Sequence, residues 1–383
     1  MRDEFPKNQA NMTESSADVP GRNPAGSAQG DAARPSAYAA QPPSAPQGQY
    51  AGAYYPAPVY YYPPPNPHEI RKNAKKSIRR NANQIALALL SVFVFSAIFA
   101  QLFWGVLHAL PSAMLSLQTQ EIIYQLVELL LRVFSFLLPA VLLLNASQIP
   151  RRWAFPARRP KAFLLFCAVG CCLGVSLLGG ILVQIVSVVT QALLGVTPVA
   201  AEAAMPVGIP ETIIFALNIA LVAPLVEEIL FRGVIMQSLR PFGDGFALVA
   251  SSILFGLAHG NLVQTPNALV MGLVIGYFVL RTNSLWTGIV LHMVNNAISV
   301  GLQLATRYTT TQQDMVINNA VFLFFAASGI IGFILLRIRY GPVFCLKKEP
   351  YPLGAAEKQV AFFTAPAAVL YVLLAAMAAG NLL

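Results

Sequence analysis

Nine apolar stretches, most of them near the length that crosses a bilayer, occupy the chain beyond residue 84 and leave few folds open to it. They run at about 85–108, 121–145, 162–194, 211–239, 245–260, 265–281, 285–304, 316–336 and 361–383. A spanning helix needs roughly 20 apolar residues, so the shorter and longer stretches predict tilted, kinked or partly re-entrant helices. Only 11% of the 383 residues are charged, against about a quarter in soluble domains, and the mean hydropathy is +0.60. The predicted fold is all-α, a polytopic membrane bundle of about 8–9 transmembrane helices. Eight spans result if the last stretch lies on the surface or if one short segment is re-entrant.

The net charge of +9 does not point to nucleic acid. The basic residues sit beside apolar stretches and do not interleave with aromatics on one soluble face. Residues 1–68, rich in Pro, Tyr, Ala and Gln, read as a disordered cytoplasmic tail that can serve a partner reading polyproline II segments. Residues 69–84 form a basic juxtamembrane segment, with six positive charges between Arg71 and Arg80, before the transmembrane domain at 85–383. Arg151, Arg152, Arg158, Arg159 and Lys161, then Arg240, Arg281, Arg337, Arg339, Lys347 and Lys348, fall in alternate loops. The other loops carry only Arg307, beside Asp314. The positive-inside rule then puts the N-terminus in the cytoplasm and the C-terminus outside, in a membrane that the tail and charge pattern suggest is bacterial. The polar start, Met1 to Lys7, lacks the apolar core of a cleavable signal. Cys167, Cys171, Cys172 and Cys345 show no paired spacing and read as free thiols, three of them small buried hydrophobes.

Charge inside the fourth stretch needs a reason. Glu227, Glu228 and Arg232 fall within six residues of it, and each ionisable group at mid-bilayer costs roughly 2.5–3.5 kcal/mol. Residues four apart share a helix face, so Glu228 can pair with Arg232, while Glu227 points about 100° away. Pro224 cannot donate to the Ala220 carbonyl, which predicts a kink and a bare acceptor near the carboxylates. Two of the four histidines fall in later stretches, His259 four residues after Phe255 and His292 four residues before Asn296. Counted from the cytoplasmic ends, Glu227, His259 and His292 lie roughly 15–21 Å up their helices at 1.5 Å per residue.

These three motifs, Glu-Glu-x-x-x-Arg, Phe-x-x-x-His and His-x-x-x-Asn in order on successive apolar segments, resemble the CPBP family of intramembrane proteases. That family includes type II CAAX prenyl endopeptidases and bacteriocin-processing and bacteriocin-immunity proteins. The likeness covers about residues 211–300. It implies that Glu227 activates a water for attack on a peptide carbonyl, that His259 helps to bind or activate it, and that His292 and Asn296 steady the oxyanion. Glu228 and Arg232 would hold the site in shape. The implied substrate is a membrane-embedded or membrane-anchored protein. His259, His292 and Glu227 can also be read as a zinc or other divalent-metal set, although the His-Glu-x-x-His helix of common zinc proteases is missing.

Other polar groups have plainer readings. Glu128 and Arg132 repeat the Glu-x-x-x-Arg spacing and read as a structural pair, and His108 beside Trp104 reads as interfacial. Gly170, Gly174, Gly179 and Gly180 read as points where helices approach closely. Two other functions fit a polytopic bundle: a non-catalytic scaffold or regulator, and a proton-coupled transporter, since midplane carboxylates also mark ion paths.

Overall fold

A computed structural model of the chain describes residues 66–109, 116–195, 198, 205–346 and 350–380. The tail and its partner call lie outside these residues, as do Lys347, Lys348 and the His108 side chain. Among the described residues the regular structure is helical, apart from one antiparallel bridge between Ala157 and Ser284.

Helix α1 (Pro67–Ala109) carries the basic segment and the first apolar stretch as one 43-residue rod. It is followed by α2 (Leu117–Ser147), a short α3 (Arg151–Ala154) and α4 (Ala162–Leu194). A continuous rod then runs over Ile209–Phe242. It consists of α5 (Ile209–Leu217), α6 (Ala223–Glu228) and α7 (Met236–Leu239), with π-helical segments at Asn218–Val222 and Ile229–Ile235 and a final 3₁₀ turn. Then come α8 (Asp244–Ala258), α9 (Gln264–Thr282), α10 (Leu285–Ala305), α11 (Thr311–Tyr340), α12 (Ala355–Phe363) and α13 (Pro366–Gly380).

The protein is an integral membrane helix bundle. Among the described residues seven helices are long and apolar enough to cross a bilayer, and α12 with α13, bent by 76°, would make an eighth. Of the eight or nine spans expected, the described residues supply at most eight, because α8 has only 15 residues, about 22 Å of rise against a hydrocarbon core of roughly 30 Å. The last apolar stretch is likewise broken where Pro366, which has no amide hydrogen, opens α13.

Burial is concentrated in α9 and the 209–242 rod, and it is least in α11. Phe322, Leu323, Phe324, Ile330 and Ile331 of α11 are exposed, as side chains facing lipid should be. The α4–α11 crossing explains two of the four expected glycine contacts: a Cβ on Gly170 would lie 2.6 Å from the Ser328 carbonyl oxygen, and one on Gly174 2.5 Å from Gly329 Cα. Gly179 instead admits the Asn267 side chain of α9, and Gly180 faces open space, so it is not a packing glycine. Cys167, Cys171 and Cys172 are free and buried.

Candidate active site

The 209–242 rod places its chemistry through irregular backbone. In the first π segment the Ala223 amide already bonds five residues back, to the Asn218 carbonyl. Continuing that register, the carbonyl left without a donor by Pro224 belongs to Ile219, rather than to Ala220 as an α-helical count expects. Asn296 of α10 fills the vacancy, its Nδ2 donating to the Ile219 oxygen at 3.1 Å. The proline thus ties α10 to the rod one turn from the carboxylates.

Glu228 is fully enclosed. Its Oε1 accepts from Arg232 Nη1 at 2.8 Å and from His292 Nδ1 at 3.0 Å. Arg232 also donates to the Gly272 carbonyl at 3.4 Å and lies 4.1 Å over the Phe255 ring. Phe255 stands edge-on to both His259 and His292, with centroids 5.0 and 5.6 Å away. The pair is therefore charge-matched, hydrogen-bonded and stacked, as a buried ion pair must be to offset its desolvation.

Glu227, one residue earlier, faces a cavity of about 630 Å³. It accepts no hydrogen bond from a described residue. Its Oε2 lies 3.9 Å from His292 Nε2 and its Oε1 lies 3.9 Å from Arg132 Nη1. His259, Asn296 and Arg132 line the same cavity. His259 caps the C-terminus of α8, its Nδ1 2.9 Å from the Phe255 carbonyl. The non-helical turn that follows is satisfied internally, because Asn261 Oδ1 accepts from the amides of Val263 and Gln264 at 2.8 and 3.1 Å. Irregular backbone inside a membrane bundle is tolerated where it lines a cavity in this way.

The partners decide the ring tautomers. A carboxylate and a carbonyl only accept, so Nδ1 carries the hydrogen in both His292 and His259, and in the neutral rings both Nε2 atoms hold lone pairs. These orientations suit ligation. Even so, among the described residues no group of three or more His, Cys, Asp or Glu side chains is arranged to hold a metal ion. Glu227, His259 and His292 do not make such a group in this structure.

Arg132 corrects the sequence reading. Its expected partner Glu128 makes no ion pair with it; Glu128 Oε1 instead lies 3.4 Å from the Tyr124 hydroxyl, which donates to it. The missed signal was depth. Arg132 sits 13 residues from the end of its apolar stretch at 145, within one residue of the 12 that separate Glu227 from the end of its own at 239. Ser176, Asn267 and Asn295 of the cavity wall were also missed, with Ser176 Oγ donating to Asn295 Oδ1 at 3.0 Å.

With this geometry in hand, the profile of the Rce1-like type II CAAX prenyl endopeptidases matches residues 209–298. Residues 209–298 are thus similar to an Rce1-like domain. That domain spans Glu227, Glu228, Arg232, His259, His292 and Asn296, and leaves out Arg132. The chain is also similar to the candidate membrane peptidase YdiL of Bacillus subtilis, 33% identical over 86 residues, which is 22% of this chain and 35% of that one. Similarity to the membrane-embedded CAAX protease MroQ of Staphylococcus aureus is 29% over 195 residues, 49% of this chain and 76% of that protein. The chain thus spans about a third of the first relative's length and about three quarters of the second's. No solved structure matches.

Proposed function

We propose that the protein is an intramembrane endopeptidase that hydrolyses a peptide bond of a membrane-associated substrate. The observation that carries this is the contrast at the Rce1-like core: a carboxylate left open on a cavity wall beside one locked in an ion pair. Glu227 takes a proton from a water held with the help of His259 Nε2, and the resulting hydroxide attacks the peptide carbonyl carbon. The carbonyl oxygen takes up the negative charge, and Asn296, whose Nδ2 keeps a second hydrogen beyond the Ile219 bond, donates to it. His292 Nε2 accepts from the water while the ring is neutral and so orients it for attack. A standing oxyanion role for His292 would need a second proton, since the one released sits on Glu227. Collapse breaks the C–N bond, and the proton on Glu227 passes to the leaving amine.

The test compares membrane proteomes of the native host expressing wild type or Glu227→Gln. Full-length substrates should accumulate, and their shortened products disappear, in the variant alone. Identical proteomes would sink the reading.

Orientation belongs to the same proposal, with residues 146–161 and 337–360 in the cytoplasm and 305–315 outside, in a bacterial cell membrane. Exposed Ala146 and Tyr308, each changed to cysteine in a background without the four native cysteines, should be labelled by an impermeant maleimide from opposite sides. Labelling of both in intact cells would reject this arrangement.

A further inference from the structure

The site holds two arginines, and only one is spent. Arg232 is consumed by Glu228, the Gly272 carbonyl and the face of Phe255. Arg132, on a helix outside the Rce1-like domain, makes no bond to Glu128, and its Nε is buried without a hydrogen-bond partner. Among the described residues its sole ion-pair contact is Glu227, at 3.9 Å. That gap is longer than a hydrogen bond, yet short enough for one oxygen atom to touch both groups.

Charge conservation gives this placement a use. Before reaction the cavity's negative charge sits on Glu227. When Glu227 takes the water's proton it becomes neutral, and the same unit of charge reappears on the carbonyl oxygen of the tetrahedral intermediate. The site keeps its net charge while the charge moves. A cation beside Glu227 must follow the charge or lose its partner, and a guanidinium with an unspent donor and 27% side-chain exposure can do so. Asn296 alone would leave the oxyanion facing neutral donors in a low-dielectric cavity, where an opposite charge has most effect.

We infer that Arg132 is a further catalytic residue, compensating Glu227 in the resting site and the oxyanion in the tetrahedral intermediate. This rests on the endopeptidase reading above. The alternative use of Arg132, holding a carboxylate of the substrate, would put two negative charges against one cation while Glu227 is still ionised. It is therefore disfavoured.

The experiment uses the full chain in nanodiscs and an internally quenched peptide library anchored by an N-terminal palmitoyl chain, cleavage sites being read by mass spectrometry. Arg132→Gln should lower kcat by about 10²–10³-fold, the loss usual for one oxyanion donor, with KM within about threefold and the melting temperature unchanged. Arg132→Lys should recover part of kcat, and methylguanidinium should restore part of it to Arg132→Ala. A merely structural arginine would show neither recovery. Full kcat in Arg132→Gln, a loss confined to KM, or a loss that neither lysine nor methylguanidinium repairs would overturn the inference while the protease reading stands. No cleavage by wild type would overturn both.

Discussion

On one side of the 209–242 rod Glu228 is walled in by Arg232, His292 and the α10 backbone at Gly288; on the other, one residue earlier, Glu227 looks onto a cavity of about 630 Å³. The chain spends two expensive groups in the same turn and treats them oppositely. Where every donor is matched, the carboxylate is part of the fold. Where the nearest charged atoms stand off at 3.9 Å, it is left free to react. A membrane bundle cannot hide an unsatisfied charge among lipid, so the closed side supports the open one: Glu228 holds His292 by Nδ1 and thereby aims Nε2 at Glu227.

The largest effect should come from the open side. Glu227→Gln removes the base while keeping the volume, and the cation it leaves without an ion pair, Arg132, retains 27% side-chain exposure, so cleavage should fall by three orders of magnitude or more, in line with about 10²–10⁴-fold for a general base and further loss of water positioning. The melting temperature in detergent should stay within a degree or two. A Glu227→Gln protein that cleaves at the wild-type rate, or that unfolds, would erase the distinction between the two carboxylates.

The closed side should respond in stability. Arg232→Ala strips Glu228 of its cation and Phe255 of its stacked guanidinium, and breaking a buried pair costs about 3–5 kcal/mol. Activity should fall with the fold, and Arg232→Lys should rescue it poorly because one ammonium cannot replace the stacked fork that also reaches Gly272. An Arg232→Ala variant that melts like wild type would mean that the pair does not carry the local structure.

Much of this contrast is legible from spacing alone. The four-residue step separates Glu228 from Glu227 and joins it to Arg232, and apolar runs mark nearly every helix, because bilayer and core impose simple lengths and faces. What spacing cannot carry is tertiary. Arg132 obeys the same four-residue rule with Glu128, yet the structure turns it to Glu227, since the local rule says which residues can meet and not which competitor is nearer. The π segments are equally hidden: no side-chain preference announces them, so the freed carbonyl shifts from Ala220 to Ile219 and the role of Asn296 in closing it goes unseen. Pro366 marks the break before α13, but the apolar run that continues through it reads as one segment.

The smallest effects sharpen the comparison through two glycines. In the closed wall, a Cβ on Gly288 would stand 2.7 Å from Glu228 Oε2 and 2.7 Å from Val279 Cγ2. The Oε2 atom is already buried without a hydrogen-bond partner, and the ion pair cannot swing away without losing its bonds. Overpacking of about 1–3 kcal/mol should outweigh the helix-propensity gain of roughly 0.8–1.0 kcal/mol for Gly→Ala. On the cavity wall, Gly180 has nothing within 4 Å of its would-be Cβ, so only the propensity term remains. Gly288→Ala should therefore lower the melting temperature and Gly180→Ala should leave it unchanged or raise it by a few degrees. The sign decides the matter: if both substitutions stabilise, the Glu228 wall has slack, and the division between a packed structural carboxylate and an open catalytic one is weaker than the distances imply.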